Sequence, residues 1–273
     1  MTVSLSPRYS FRVPINCKCI SPDAFASKTL EEIKALEVWE GNKQRILGEL
    51  FEVKGESAPS PKEVSIRITG DLRKAKRISE KMSDGETTIE GDAGLHLGEK
   101  MMGGRILVSG NAGSWLGAMM KGGSITVNGN AGDYVGAAYR GSNKGMQGGT
   151  IEIHGNVGNE AGCFMREGLI KIGGKAGQFV GIHMRNGTII VHGDCDGRAG
   201  ASMVGGRIVL LGSTASVLPT FSIDSIKKKV EVEGEEMQGP FFLFTGDIAE
   251  KGNGKLYISQ ANNQHLSFCE KYL

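Results

Sequence analysis

The sequence predicts an all-β fold: a parallel, right-handed β-helix of about seven to eight coils with small N- and C-terminal caps. Three observations carry that expectation. First, glycine is crowded, with 33 of the 42 glycines lying in the 128 residues from Gly85 to Gly212. Second, a phrase recurs: Met-x-x-Gly, a short β-like run, then Gly-x-x-Gly-x-x-x-Gly. It begins at Met82, Met101, Met120, Met146, Met165, Met184 and Met203, at intervals of 19, 19, 26, 19, 19 and 19 residues. These are seven copies, with one seven-residue insertion between Gly136 and Met146. Third, each copy alternates with period two. One apolar column runs through Ile89, Val108, Val127, Ile153, Ile172, Val191 and Leu210, and a second lies two residues earlier, at Thr87, Ile106, Ile125, Ile151, Ile170, Ile189 and Ile208.

Alternate side chains of a strand point the same way, so the two columns share one interior. A single 19-residue copy cannot bury its own apolar side, whereas stacked copies bury a continuous stripe and pair their backbones above and below. The strands end in Gly-Asn or Gly-Asp, as at Gly110-Asn111 and Gly193-Asp194, which predicts corners of positive φ. The methionine column reads as a sulfur ladder inside the stack, with an adaptable partner surface as the other reading.

Taken in order, residues 1–63 form an N-terminal cap. Its Thr29-Leu-Glu-Glu32 is a capping box opening a short helix, with Leu30, Ile33 and Leu36 on one face. Residues 64–212 form the repeat domain, entered through the strand-like Val64–Gly70. Residues 213–273 form a C-terminal cap, in which Pro240–Thr245 and Leu256–Ser259 are strands separated by the turn Lys251-Gly-Asn-Gly254.

Composition narrows the function. Thirty-two Lys and Arg against 30 Asp and Glu give a net charge of +2, too little for a global field that grips nucleic acid. There is no apolar run long enough to span a bilayer, and the first residues lack the apolar core of a signal peptide, so a cytoplasmic location is expected. The cysteines, at 17, 19, 163, 195 and 269, form neither a disulfide framework nor a CxxC signature. His154 and His192 hold equivalent positions two coils apart, about 9.6 Å by strand spacing, too far to share a metal. His183 has no His, Cys, Asp or Glu within four residues to join it as a metal ligand, the acids Asp84, Glu167, Asp194 and Asp196 form no pair spaced for acid–base work, and the seven periodic glycine phrases read as corners rather than phosphate cradles. No catalytic, cofactor-binding or metal-binding residue is therefore expected.

What remains is recognition. Leu107, Ile190, Val209 and Leu211 place apolar groups on the outer face of the strands, and three of them fall in consecutive coils, which predicts a docking patch. The insertion adds Tyr139 and Arg140, side chains favoured at binding hot spots. The competing reading is that the C-terminal cap covers the patch and the insertion is an idle loop.

The seven Met-x-x-Gly phrases follow Ile20-Ser-Pro-Asp-Ala-Phe25, Val38-Trp-Glu-Gly-Asn42 and Leu47-Gly-Glu-Leu-Phe51. Together they resemble the C subunit of formylmethanofuran dehydrogenase, in the tungsten or molybdenum form, of methane-forming archaea, over nearly the whole chain up to about Gly212. A related glycine-rich coil closes the large subunit of glutamate synthase, there as one domain of a far longer polypeptide. The resemblance implies a non-catalytic structural and assembly subunit of a complex that reduces CO2 and attaches the formyl group to methanofuran. It implies partners that are pterin-binding, amidohydrolase-like and ferredoxin-like, and that carry the tungsten or molybdenum pterin, the iron–sulfur clusters and the amidohydrolase metals. Two alternatives stay open: the similar subunit of a bacterial formyltransferase/hydrolase complex, and a scaffold unrelated to one-carbon chemistry.

Overall fold

A computed structural model describes all 273 residues. The chain starts with β1 (Thr2–Pro7), β2 (Ile15–Asn16), β3 (Glu37–Glu40), β4 (Lys43–Ile46) and β5 (Phe51–Gly55), interspersed with short helices α1 (Pro22–Phe25), α2 (Leu30–Lys34) and α3 (Leu47–Leu50). Helix α2 opens on the expected capping box: the Glu32 backbone N–H donates to Thr29 Oγ1 while the Thr29 N–H donates to Glu32 Oε2. Ile33 is fully buried.

Next come β6 (Ser65–Thr69), β7 (Ala75–Lys76) and one strand per repeat: β8 (Glu86–Glu90), β9 (Arg105–Val108), β10 (Ser124–Val127), β11 (Gln147–Ile153), β12 (Glu167–Ile172), β13 (Thr188–Val191) and β14 (Arg207–Leu210). Neighbouring strands are parallel and in register, so that Ile151 stands beside Ile170, Ile170 beside Ile189, and Ile189 beside Ile208. A second line of parallel bridges joins Leu72, Ala93, Ala112, Ala131, Val157, Ala176, Cys195 and Thr214. The Ile and Val columns, the small residues of that second line and the seven methionines that open the repeats lie between the two lines, and each of these seven is fully buried. The sulfur-ladder reading therefore holds.

The expectation of a parallel β-helix with small caps needs correction. The main sheet has 13 strands and is mixed, in the order β15-β16-β17-β14-β13-β12-β11-β10-β9-β8-β6-β1-β5, and a second sheet runs β4-β3-β2-β7. Here β15 (Ser222–Val232), β16 (Glu235–Gly246) and β17 (Gly254–Ser259) are the C-terminal strands. β17 pairs parallel with β14, but β16 pairs antiparallel with β17, β15 antiparallel with β16, and at the other end β5 antiparallel with β1. The reason lies in the connections. Only Glu233 and Gly234 join β15 to β16, and a two-residue link permits a hairpin, whereas a parallel return needs a long crossover. A hairpin thus finishes one edge and the antiparallel pairing of β1 with the sequence-distant β5 finishes the other, and strands of 11 and 12 residues are no small cap.

The corners also differ from expectation. Asn111, Asn130 and Asn156 are not in the left-handed region. Instead each strand-ending Asn or Asp side chain accepts the backbone N–H one repeat further on: Asn111 N–H to Asp92 at 2.7 Å, Asn130 N–H to Asn111 at 2.9 Å, Asn156 N–H to Asn130 at 2.7 Å. The left-handed glycines are instead the last of Met-x-x-Gly and the last of Gly-x-x-Gly-x-x-x-Gly, the latter as at Gly117 with φ +58°. At Gly104 φ is +78°, and a Cβ would lie 2.6 Å from both the Gly85 carbonyl oxygen and the Met82 methyl. Each methionine methyl thus fills the space left by the glycine of the following repeat.

Candidate interaction surface

The docking residues read from the sequence do not form one patch. Ile190 and Val209 are register neighbours on β13 and β14, but both are fully buried. The β15–β16 hairpin folds back over the outer face of the sheet and packs Val230, Val232, Met237 and Phe241 against Leu169, Ile190 and Val209, with Leu211 at the margin. Lys171, beneath the hairpin, pairs with Glu235 near its tip. The apolar positions that broke the alternation are the seat of this arm, not an open surface. Leu107, on β9, is half-buried and remote from them.

Tyr139 and Arg140 lie elsewhere, on a wall built by two columns of non-glycine residues with φ between +54° and +66°. One column contains Arg77, His96, Trp115, Tyr134, Glu160, Phe179 and Arg198; the other, four residues later, contains Lys81, Lys100, Met119, Phe164, His183 and Ser202. Their N–H groups donate from repeat to repeat, as from His96 to the Ser114 carbonyl at 3.0 Å and from Phe164 to the Ile182 carbonyl at 2.9 Å. The strand spacing of about 4.8 Å suits ring stacking. Trp115 stacks on Tyr134 with centroids 4.4 Å apart, Phe164 on His183 at 4.5 Å, and the Arg198 guanidinium lies over the Phe179 ring at 5.2 Å.

The insertion folds onto this wall and is pinned at both ends. Ala138 and Gly145 donate to the carbonyls of Cys163 and Phe164, and Arg166 donates to the Asn143 carbonyl and side chain. Tyr139 turns inward, 4.7 Å from Trp115 between centroids. Its hydroxyl donates to Glu99 Oε2 at 2.5 Å and faces His96 Nδ1 at 2.7 Å. The Glu99 side chain has no exposure, and Arg77 and Lys100 approach its two oxygens, each at 3.1 Å. Burial alone would raise its carboxyl, but hydrogen bonds from His96, Tyr139 and Lys100, with the charge of Arg77, hold it down at about 2. Burial and the Glu99 carboxylate push the Tyr139 hydroxyl well above the usual phenol range. Tyr139 is thus an anchor, while Arg140 is exposed.

His96, Glu99, Trp115 and Tyr134 were not singled out from the sequence. Aligning the seven copies would have found the column of His96, Trp115 and Tyr134, though not Glu99, because it bears large aromatic or charged side chains where glycine or asparagine would be relaxed.

No group of three or more His, Cys, Asp or Glu comes close enough to hold a metal ion. The cysteines do not suit a cluster either. Cys17, in the N-terminal region, and Cys163 and Cys195, in the repeats, are buried in different parts of the molecule, and burial pushes Cys17 far up and Cys19 and Cys163 up to about 12. No helix is long and apolar enough to cross a membrane.

No family model matches the chain. It is 55% identical, over 97% of its length and 98% of the relative's, to the C subunit of the tungsten-containing formylmethanofuran dehydrogenase 2 of Methanothermobacter thermautotrophicus. The protein of the same description from Methanococcus maripaludis is 48% identical over 93% of this chain and 95% of that one. The C subunit of the molybdenum-containing formylmethanofuran dehydrogenase 1 of Methanosarcina barkeri is 45% identical over a shorter stretch, 35% of this chain and 32% of that protein. Among solved structures, a chain of the formyltransferase/hydrolase complex (FhcABCD) from Methylorubrum extorquens in complex with methylofuran superposes with a TM-score of 0.82 at 29% identity, covering 94% of this chain and 99% of that one. The chain belongs to the family of C subunits of formylmethanofuran dehydrogenase, an oxidoreductase with tungsten and molybdenum forms.

Proposed function

We propose that this chain is the non-catalytic, structural subunit of a cytoplasmic complex that reduces CO2 and attaches the formyl group to methanofuran. The near full-length 55% identity to the C subunit of a tungsten-containing enzyme is the observation on which the reading stands. The side-chain arrangement agrees with it: the cysteines are scattered and no His, Cys, Asp or Glu cluster converges, and in this reading the pterin metal, the iron–sulfur clusters and the amidohydrolase metals belong to pterin-binding, ferredoxin-like and amidohydrolase-like partners. Both near full-length relatives are tungsten forms, which favours tungsten. The bacterial formyltransferase/hydrolase reading rests on the weaker, 29% likeness.

In this reading residues 64–212 are the scaffold, and residues 1–63 and 213–273 finish its ends. Arg140 meets a partner and Tyr139 holds it in place; Leu107 and Leu211, both half-exposed, lie at further contacts. The test is the purified chain alone, incubated with formate and methanofuran, and with CO2, methanofuran and a low-potential reductant, after reconstitution with metal and pterin. No formylmethanofuran is expected. Turnover by the isolated chain would overturn the assignment.

A further inference from the structure

The five aromatic residues between Arg77 and Gly212 are Trp115, Tyr134, Tyr139, Phe164 and Phe179. All five stand on the left-handed wall, and none is fully buried. Core formation does not explain that distribution, since isoleucine, valine and methionine fill the interior. Nor does backbone preference: bulky residues in the left-handed region cost about 1 to 3 kcal/mol each where the surroundings hold them there. Strain repeated on one wall, in residues that carry rings at the surface, marks that wall as the part of the molecule selected for something other than folding.

Charge is segregated in the same way. The wall segments, running in each repeat from the first left-handed position to just beyond the methionine, hold nine Lys and Arg against five Asp and Glu, and one of the five is the buried, already paired Glu99. The neighbouring wall, formed by the strand-ending glycine corners from Gly91 to Gly197, holds one Lys against four Asp, and that Lys175 pairs with Asp194; only the corner before them, residues 70–76, is cationic, with Arg73, Lys74 and Lys76 against Asp71. By contrast, Lys121, Arg140, Lys144, Arg185 and Arg198 are exposed on the first wall with no carboxylate within 4.0 Å. Two large apolar side chains, Met102 at 50% and Val204 at 38% exposure, lie among them.

We infer that this wall is the principal docking surface of the chain, and that its occupant is an acidic, folded segment of another subunit, whose carboxylates meet the unpaired cations while its apolar groups cover the rings. The inference rests on the reading of the chain as a member of a complex. Aromatic rings ringed by arginine are the composition of interface hot spots, and unpaired cations select a partner of opposite charge. A second copy of this chain is a poorer occupant. It carries a net charge of +2 and the same cationic wall, so it offers no excess of carboxylates to the unpaired cations.

The test uses the native complex. Treatment with a zero-length carbodiimide, which joins an amine to a carboxylate in direct contact, is expected to link Lys121 and Lys144 to Asp or Glu of a partner polypeptide, while Lys255, off this wall, stays unlinked. In parallel, Lys121→Glu with Arg185→Glu is expected to speed partner dissociation about tenfold, with the thermal melt of the isolated chain unchanged. Lysine amines on this wall that remain freely labelled in the complex would overturn the inference. So would amines that are protected without any polypeptide link, which would mean a soluble polyanion as occupant, or a wild-type dissociation rate in the double variant. A chain that recovers no partner at all fails the subunit reading instead, so the two failures are distinct.

Discussion

Glu99 is the residue on which the wall depends. A carboxylate without exposure survives because Tyr139 donates to one oxygen and the charges of Arg77 and Lys100 stand 3.1 Å from it, and the Tyr139 contact holds the insertion down. Arg77 and Lys100 keep about a third of their side chains in solvent, so Glu99→Ala, which strips their partner and leaves the Tyr139 hydroxyl unsatisfied, is expected to cost about 1 to 3 kcal/mol of stability, measured by urea unfolding of the chain. Its pH dependence has a definite sign. The folded carboxyl titrates at about 2, below its ordinary 4.5, so its contribution is complete above about 4.5 and is lost as pH falls toward 2. The gap between wild type and Glu99→Ala should therefore narrow across that window; a constant gap would mean that the carboxylate charge is not what stabilises the site. None of this was legible in the sequence, because Glu99 and Tyr139 are 40 residues apart and are brought together by an insertion whose path no local pattern dictates.

At the scale of the element, the strands were legible and their partners only partly so. Period-two alternation placed the Ile and Val columns inside, because a register slip of one residue would have turned every one of them outward. Ile170, fully buried between Ile151 and Ile189, should lose about 2 to 5 kcal/mol on replacement by Ala, read from chemical denaturation. The same alternation misled where Ile190 and Val209 broke it. Apolar residues on an outer face ask for a cover, but the pattern cannot say whether another chain or the chain's own hairpin supplies it. Here β15 and β16 do. Val209→Asp is accordingly expected to release the hairpin, and trypsin should cut at Lys227–Lys229 markedly faster than in wild type. An unchanged cutting rate would return Val209 to the surface and the hairpin to independence.

For the whole molecule, the 19-residue repeat makes a stack whose walls differ in kind: one is covered by the chain's own arm, one is acidic, and one is cationic and aromatic. Repetition explains why so much of this was readable, since each column appears seven times and chance is averaged out. It also explains what was not. The ends of a stack are where repetition stops, so the antiparallel end strands that make the sheet mixed, and the small four-stranded sheet beside it, left no periodic trace. A stack with finished edges, a scattered set of thiols and a dense recognition wall is built to hold other proteins in place. The most direct test is to purify the native assembly through an affinity tag on this chain, under anaerobic conditions, and to measure its metals and polypeptides together. Tungsten or molybdenum, iron and pterin-binding, amidohydrolase-like and ferredoxin-like polypeptides in fixed proportion to the tagged chain are the predicted result. A tagged chain recovered alone, or in an assembly free of tungsten, molybdenum and iron–sulfur centres, would contradict the account.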